Sequence, residues 1–499
     1  MNTLENRSDW EIGAKTIAQV FANAVRQSPD VIFCKNADQT LTYEQAAGAI
    51  QAFAEELRPT VHGQPVALIL PNSMAFLIAY FAVLFAGGKP ALLNHGHPDA
   101  TIDKLLDDLG AVLAISARDL AGHATRVIDD AEVLGLAGPV DLATFQDPTT
   151  SDDIAAILYS GGTTGLPKQV PHSNAAIIAT MERGDWGWRS KKNEKWLPVA
   201  PFTHIYGYLM GLANPLIQAG TIVIPERFQP DLIVDLLENE NISIFGGGPP
   251  AIYQAVMASE KFATAKFPEL RICPGGGAPF PLDVHRRWQE ATGLRIFEGY
   301  GMTEIAPISI NTEERGVKLG SAGKPVPDTI VEIVDLETGT QILPHGETGE
   351  IRVKGPHMMT KYVGSEEETN KTLKHGFVYT GDIGSFDEDG FLTISDRKKN
   401  VIFVSGFNVF PREIEELLLT HPAIAGACVI ADTHERSGEV PIAFVTLRSS
   451  LEQDDINAFC RENLIAYKLP ARVHILPELP LTPAGKVDRI ALKQHLTTP

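Results

Sequence analysis

The sequence predicts an α/β protein in which a large N-terminal body precedes a small α+β domain. Two stretches, residues 66–116 and 154–298, alternate short apolar runs with longer amphipathic runs, the pattern of βαβ units. Beyond about residue 320, short β-like runs alternate with turn signals, and after residue 396 helices and strands alternate again on a smaller scale. We therefore expect parallel sheets covered by helices, then a small β-rich subdomain, then a C-terminal domain.

The first βαβ stretch opens with a predicted strand at 66–70, which leads into the longest apolar run of the chain, Ala75–Ala86. Its twelve residues are too few to cross a bilayer, so we expect a buried helix and no transmembrane segment. A helix at 102–109 and a strand at 111–116 follow. The first 15 residues carry mixed charge without an apolar core, so we expect no secretory signal.

The remaining elements follow from the same patterns. The second stretch predicts strands at 154–159, 221–224, 243–245 and 271–273, with helices at 231–237 and 250–259. The β-rich part predicts strands at 330–334, 350–353 and 391–394, with a turn at 387–390, and the last part predicts helices at 411–419, 451–464 and 487–495 and strands at 426–431 and 442–447. The expected domains are residues 1–396, β-rich from about 320, and residues 397–499.

Charge and cysteine usage exclude several classes of protein. The 499 residues include 42 basic and 62 acidic ones, a net charge of −20, whereas binders of nucleic acid or anionic membranes are usually basic. Residues 397–499 hold twelve residues of each sign, so the whole negative charge lies in residues 1–396. The four cysteines lie far apart without zinc-like spacing, which favours free thiols and a cytoplasmic location.

A strand that runs into glycines, hydroxyls and a lysine is the sharpest local feature of the chain. Such a segment suits a polyphosphate, because glycines let backbone N–H groups approach an anion while hydroxyls and an ammonium group add donors and charge. It is not a Walker A loop, since Lys168 follows a proline and precedes Gln169. A surface turn is the alternative. The candidate phosphate ligands are Ser160, Gly161, Gly162, Thr163, Thr164, Gly165 and Lys168.

Four later segments follow in a fixed order: Tyr300–Glu304, Tyr379–Asp382, Asp396–Asn408 and Pro483–Lys486. Together with the loop they closely resemble the core motifs of the adenylate-forming superfamily, which includes acyl-CoA synthetases, peptide-synthetase adenylation domains and beetle luciferases. The resemblance covers nearly the whole chain, and the sequence of the motifs is most similar to that of fatty-acyl-CoA and aryl-CoA ligases. It implies a two-step reaction in which a carboxylate and ATP form an acyl-adenylate and pyrophosphate, after which a thiol, usually that of coenzyme A, displaces AMP.

The resemblance also implies roles for residues around the nucleotide. Glu304 and Thr164 would hold Mg²⁺, and Thr303 would contact the α-phosphate. Asp382 and Arg397 would bind the ribose hydroxyls. The adenine would lie between Tyr300 and the glycine turn. The other residues assigned to this site are Gly276, Gly277, Ala278, Glu298, Gly299 and Gly301.

Lys486 matches the catalytic lysine of the superfamily, which bridges the substrate carboxylate and the α-phosphate. Lys399 falls at the hinge position, so the resemblance implies that the C-terminal domain is mobile. Ser405, Gly406 and, more loosely, Arg227 match positions that border coenzyme A.

His204 matches the residue that gates the acyl pocket, and its neighbours carry no charge, so an α-amino acid is not expected. The resemblance therefore implies a ligase that uses ATP, Mg²⁺, coenzyme A and a fatty or aromatic acid. Alternatives are an acyl-AMP ligase that loads a free acyl carrier protein, an inactive nucleotide-binding homologue, and light emission from a special substrate. We expect a monomer or homodimer that binds no nucleic acid.

Overall fold

A computed structural model of the chain describes residues 10–141, 145–161, 166–480 and 487–497. Its contacts divide the chain into two compact units. The first unit consists of Met1–Val331, Arg352–Tyr379 and Gly390–Leu392, and the second of Glu332–Ile351, Thr380–Asp389 and Thr393–Pro499.

The helices are distributed through the chain, and short 3₁₀ or π segments adjoin several of them. The α-helices are α1 (Ile17–Gln27), α2 (Tyr43–Val61), α3 (Met74–Phe85), α4 (Asp99–Leu109), α5 (Asp130–Leu136), α6 (Asn174–Trp186), α7 (Ile205–Tyr208), α8 (Pro230–Asn239), α9 (Pro250–Ala258), α10 (Leu282–Thr292), α11 (Glu366–Thr372), α12 (Pro411–Thr420), α13 (Gln453–Asn463) and α14 (Arg489–Thr497). The π segment is Leu209–Ala213, and the 3₁₀ segments are Asn214–Gln218, Glu260–Ala263, Lys398–Asn400 and Ala466–Lys468.

The strands are mostly short. They are β1 (Ile32–Lys35), β2 (Thr40–Thr42), β3 (Pro65–Ile69), β4 (Lys89–Leu92), β5 (Leu113–Ser116), β6 (Thr125–Val127), β7 (Ile154–Ser160), β8 (Lys168–Ser173), β9 (Lys195–Pro198), β10 (Thr221–Val223), β11 (Ile244–Gly246), β12 (Cys273–Gly275), β13 (Ile296–Met302), β14 (Ile305–Ile310), β15 (Lys324–Pro325), β16 (Ile330–Val334), β17 (Gly349–Lys354), β18 (Leu373–Lys374), β19 (Phe377–Phe386), β20 (Leu392–Arg397), β21 (Ile402–Val404), β22 (Phe407–Val409), β23 (Ile424–His434), β24 (Gly438–Leu447) and β25 (Arg472–Ile475).

A six-stranded sheet in the order β6–β5–β3–β4–β7–β8 carries the phosphate-loop lysine. Its strands pair in parallel except for β7 and β8, which form an antiparallel pair with Ser160 opposite Lys168. Against this sheet lies the apolar helix α3, all of whose residues are buried, which confirms the predicted buried helix. It begins where the Ser73 hydroxyl accepts a hydrogen bond from the Phe76 amide at 3.0 Å.

Two further sheets of the first unit frame the rest of its core. One has the order β11–β9–β10–β1–β2 and the other β12–β13–β14–β15. The expectation of parallel sheets was incomplete, because β1–β2, β13–β14 and β14–β15 pair antiparallel. The strand predicted at 271–273 was placed two residues early: it spans Cys273–Gly275, since its pairing with β13 begins at Cys273.

The second unit contains a sheet in the order β22–β21–β24–β23, with β25 paired to β24. Its core includes Ile402, Val409, Ile414 and Val445, all fully buried. A further sheet has the order β16–β17–β19–β18, and β20 pairs with β19. The turn predicted before β20 is present, with Gly390 at φ +78°. In the described parts of the chain, no helix is long and apolar enough to span a membrane.

Gly323 sits where two backbones approach each other closely, and it offers a test of the fold. A Cβ at this position would stand 2.0 Å from the carbonyl carbon of Ile310, whereas a Cβ on Gly390 would have no atom within 4 Å. Both glycines have a positive φ, so alanine costs about 1–2 kcal/mol at each for backbone strain alone. We predict that Gly323→Ala lowers the melting temperature far more than the matched control Gly390→Ala. Equal shifts for the two variants would contradict the close approach.

Candidate functional site

A narrow cavity of about 80 Å³ in the first unit brings together residues from four separate parts of the sequence. Its walls come from the end of α6, the start of α7, the turn after β12 and strands β13 and β14. The lining is apolar or aromatic apart from backbone groups and His204. The lining residues are Gly184, Trp188, His204, Ile205, Tyr206, Leu209, Met210, Pro274, Gly275, Gly276, Gly277, Phe297, Gly299, Tyr300, Gly301, Ala306, Pro307 and Ile310.

The segment that carries His204 is held tightly at the N-terminal end of α7. The His204 ring caps that helix, where its Nδ1 accepts a hydrogen bond from the Tyr206 amide at 3.2 Å. Gly207 follows, and a Cβ there would stand 2.0 Å from the carbonyl oxygen of Pro201. The Asn72 side chain clamps the preceding loop, because it donates to the Ala200 carbonyl and accepts from the Phe202 amide. The predicted gate residue therefore stands on a segment with little room to move.

The opposite wall depends on glycines that let strands approach the cavity closely. A Cβ on Gly276 would stand 2.9 Å from the carbonyl oxygen of Gly299, and Gly277 adopts φ +79°. Tyr300 and Gly301 continue β13 along the same wall. The predicted adenine-binding residues thus gather around one cavity, with Ala278 half-buried at the end of the turn.

Glu298 is buried in the fold and is not one of the residues that line the cavity. Its buried carboxylate accepts a hydrogen bond from the Phe280 amide and lies 3.4 Å from His285 Nε2. The Asn311 side chain donates to the carbonyl oxygen of Glu298 at 3.0 Å. These contacts fix the start of β13, and so they position the strand that carries Tyr300.

Lys168 lies in a chain of polar contacts that ends at Glu304. The Lys168 ammonium pairs with the Glu368 carboxylate on α11 at 2.6 Å and stands over the ring of Tyr362 at 4.7 Å from its centre. Hydrogen bonds from Lys168 and Lys371 lower the pKa of the Glu368 carboxyl to about 2, so Glu368 is ionised at neutral pH. The Tyr362 hydroxyl in turn donates to the buried Glu304 carboxylate at 2.5 Å. Lys168 and Glu304 are therefore joined through Tyr362, and Lys168 has a second partner in Glu368; the sequence singled out neither Tyr362 nor Glu368.

Burial and the adjacent Glu304 carboxylate both raise the pKa of the Tyr362 phenol, so this hydroxyl remains a donor at neutral pH. Lys168 therefore faces one carboxylate directly and a second through a tyrosine. An anion that binds Lys168 competes with Glu368 for the ammonium group.

Two buried histidines hold the segment that contains Thr303 and Glu304. The His172 Nε2 donates to the Thr303 carbonyl at 2.8 Å, and the His357 Nε2 donates to the Pro307 carbonyl at 2.6 Å. Burial lowers the pKa of His172 to about 4 and that of His357 to about 3, so both rings are neutral at pH 7. Both ends of the segment are therefore anchored by uncharged side chains, which add no positive charge near Glu304.

Gln169, which directly follows Lys168, is held by contacts to two other segments. Its side chain is buried, and its Nε2 donates to the Asp108 carboxylate on α4 at 2.7 Å. Its backbone carbonyl accepts from the Val363 amide at 3.1 Å, near Tyr362. Gln169 therefore ties the strand that carries Lys168 to two neighbouring segments.

The second unit pairs the two residues predicted to bind ribose. The Arg397 Nε lies 2.6 Å from the Asp382 carboxylate, which is buried while Arg397 is exposed. Gly381, Arg397, Lys398 and Lys399 line an open depression of about 340 Å³. Lys398 pairs with the Glu350 carboxylate at 2.7 Å, so that the depression has a fixed basic edge beside the Asp382 carboxylate.

Several predicted residues are not brought to either cavity. Ser160 is buried at the end of β7, with Gly161 exposed beside it, and Arg227 lies on an exposed loop. Ser405 and Gly406 form an exposed turn with φ +51° and +88°. The predicted site residues Gly162, Thr163, Thr164, Gly165 and Lys486 lie outside the described residues. Within the described ranges, no cluster of three histidine, cysteine, aspartate or glutamate side chains is grouped to hold a metal ion.

Comparison with protein families gives two matches that together span most of the chain. The model of the AMP-binding enzyme family matches residues 21–363, and the model of the AMP-binding enzyme C-terminal domain matches residues 413–486.

Curated relatives match over nearly their full length. The long-chain-fatty-acid–CoA ligase of Bacillus subtilis is 30% identical, with 97% of this chain and 95% of that protein covered. The 2-succinylbenzoate–CoA ligase of Geobacillus kaustophilus is 32% identical, with 94% and 95% covered.

Solved structures agree with these matches. ATP-bound MatB from Rhodopseudomonas palustris has a TM-score of 0.87 at 26% identity and covers 96% of this chain and 98% of its own. The o-succinylbenzoate CoA synthetase of Bacillus subtilis, in complex with ATP and a magnesium ion, has a TM-score of 0.84 at 28% identity, with 95% and 99% covered.

Proposed function

The chain belongs to the AMP-binding enzyme family, and from this premise we propose that it is an ATP-dependent carboxylic acid:CoA ligase. The proposed reaction forms an acyl-adenylate with release of pyrophosphate and then an acyl-CoA thioester with release of AMP. Relatives named for a long-chain fatty acid and for an aromatic acid support a fatty or aromatic substrate.

The convergence of three motifs on one apolar cavity carries this proposal. His204, the Gly275–Gly277 turn and Tyr300 are far apart in the sequence and line the same space. The absence of charged side chains from the lining residues of this cavity disfavours an α-ammonium group, which would need a carboxylate partner. An uncharged acyl or aryl group, in contrast, gains free energy when it leaves water for such a lining.

We propose that the residues of this chain act mainly through charge and position. Two anions must approach each other in the first step, so cationic groups have to offset their repulsion. Lys168 supplies one such charge to the phosphates once they replace Glu368, and Lys486 supplies another where charge develops between the carboxylate and the α-phosphate. Asp382 accepts hydrogen bonds from the ribose hydroxyls, which orients the nucleotide for attack.

Mg²⁺ fits the donor set at Glu304, because a hard cation prefers carboxylate and phosphate oxygens. Glu304 and the predicted partner Thr164 would hold the ion, which would neutralise phosphate charge. Coenzyme A would use the turn at Ser405 and Gly406 and the exposed Arg227, whose charge suits its phosphates.

Other expectations stay predictions. They are the domain boundary at residues 396 and 397, a hinge at Lys399, a cytoplasmic location, a monomer or homodimer, and a free acyl carrier protein as the alternative acceptor.

A panel of carboxylic acids, with pyrophosphate and acyl-CoA measured with and without CoA, tests the proposed function. We expect pyrophosphate release with fatty or aromatic acids and a thioester only when CoA is present. AMP release without any acyl-CoA would favour loading of a carrier protein instead. No pyrophosphate with any acid would favour an inactive nucleotide-binding homologue.

Lys486→Ala separates the two half-reactions. We expect acyl-AMP formation to fall by on the order of 100-fold or more, because one charge that stabilises the transition state is lost. Thioester formation from supplied acyl-AMP should fall much less. Lys493→Ala, which removes an exposed lysine of α14, is the matched control and should change neither step. Equal losses in both half-reactions would show that the role of Lys486 is wrong.

Glu368→Gln releases Lys168 from its internal partner while it keeps the size of the side chain. A partly exposed ion pair contributes up to about 1 kcal/mol, so we expect the KM for MgATP to fall by up to roughly fivefold. The matched control is Glu367→Gln, whose more exposed carboxylate pairs with Lys371. A KM that stays unchanged or rises for Glu368→Gln would contradict competition between Glu368 and the phosphates.

A further inference from the structure

The turn between β13 and β14 consists of the two residues predicted to contact the α-phosphate and Mg²⁺. Met302 pairs with Ile305 across the two strands, so Thr303 and Glu304 alone form a two-residue hairpin turn. Such hairpins usually have a positive φ at one or both turn residues, because the resulting turn matches the twist of the strands. Neither Thr303 nor Glu304 has a positive φ. The turn therefore relies on contacts outside the hairpin to keep its shape.

Those contacts come from two other segments of the first unit. The His172 Nε2 donates to the Thr303 carbonyl at 2.8 Å, and the Met359 amide donates to the Glu304 carbonyl at 2.8 Å. His172 lies on β8, four residues after Lys168, so both side chains stand on the same face of that strand. One strand thus carries the lysine proposed to meet the phosphates and the imidazole that holds the turn.

A separate contact holds the other end of the segment, at the acyl cavity. The His357 Nε2 donates to the Pro307 carbonyl at 2.6 Å, and Pro307 lines the cavity together with Ala306. Along the chain, the bond from the Met359 amide to Glu304 lies between the two histidine contacts. Because this main-chain bond holds the middle of the segment, a shift at one end is not passed freely to the other.

We propose that His172 and His357 are positioning residues with separate effects, His172 on the turn that binds MgATP and His357 on the wall that binds the acyl group. The proposal rests on the proposed ligase function and assigns two further residues to it. His172 is 1% exposed and His357 is 0% exposed, so each acts through the carbonyl that it holds and not by contact with a substrate. Loss of either donor leaves that carbonyl without its partner, and the backbone around it shifts.

A role in fold stability alone leads to a different expectation. Loss of His172 or His357 would then lower the melting temperature and change the constants for MgATP and for the acid together or not at all. Leucine in place of either histidine removes the donor, whereas the Nε2 of glutamine restores an N–H group at a similar distance from the backbone. The glutamine variants therefore separate loss of the hydrogen bond from loss of the ring.

The test uses the full-length wild type, His172→Leu, His357→Leu, His172→Gln and His357→Gln. Calorimetric titration without acid gives the Kd for MgATP. Pyrophosphate release gives the KM for MgATP and, with the best acid of the panel, the KM for that acid. Melting temperatures are recorded for every protein. If a leucine variant does not fold, asparagine at the same position replaces it, because its shorter amide does not reach the carbonyl.

We expect His172→Leu to raise the Kd and KM for MgATP about tenfold or more and the KM for the acid less than about twofold, since the partner of a ligating segment is lost. His357→Leu should do the reverse, and each glutamine variant should recover most of the loss. Equal changes in both constants for either leucine variant would overturn the inference, as would no change in the assigned one.

Failure of the proposed function gives a different result. The wild type would then release no pyrophosphate with any acid of the panel. The calorimetric Kd for MgATP would still report on His172, because that measurement requires binding and no turnover. An unchanged Kd in His172→Leu would overturn the inference in that case too.

Discussion

The ion pair between Lys168 and Glu368 is the interaction on which the proposed phosphate site depends. Residues 1–396 carry the whole net charge of −20, so a polyanion would meet an unfavourable field there. Lys168 is a local source of positive charge against that field, and its ammonium group already pairs with the Glu368 carboxylate. The free energy of anion binding at Lys168 is therefore reduced by the free energy of the Lys168–Glu368 ion pair that the anion replaces. Tyr362 lies between Lys168 and Glu304.

The cavity and the charge network follow different physical rules. The cavity is built by close backbone approach, at Gly276 and Gly207, and by apolar side chains that fix its shape. The network is built from long side chains whose partners can be exchanged. Neutral His172 and His357 join the two, because they anchor opposite ends of the segment that carries Glu304 and then lines the cavity at Pro307. One short stretch of chain thus contributes to both the proposed acyl site and the proposed phosphate site.

The parts of this arrangement that could be predicted from the sequence are those whose structure a local pattern of residues determines. The apolar run at 75–86 predicted the buried helix α3, and the turn before Gly390 was predicted from its residues. The sequence assigned Tyr300 to the adenine and His204 to the mouth of the acyl pocket, and the structure brings both residues to one cavity. Glu368 could not be found in this way, because it meets Lys168 across 200 residues and only the fold makes them neighbours. Gln169 was visible as a residue that excludes a Walker A loop, but its partner Asp108 on α4 was not.

The fixed position of Gly207 has a consequence for how acyl selectivity can diverge. Any side chain there would collide with the Pro201 carbonyl, so a substitution of Gly207 would shift the backbone that carries His204. Ile310 lines the same cavity from β14, outside the capped helix α7. Within the proposed ligase function, changes in acyl selectivity therefore meet a smaller steric barrier at Ile310 on β14 than at Gly207 beside the His204 cap.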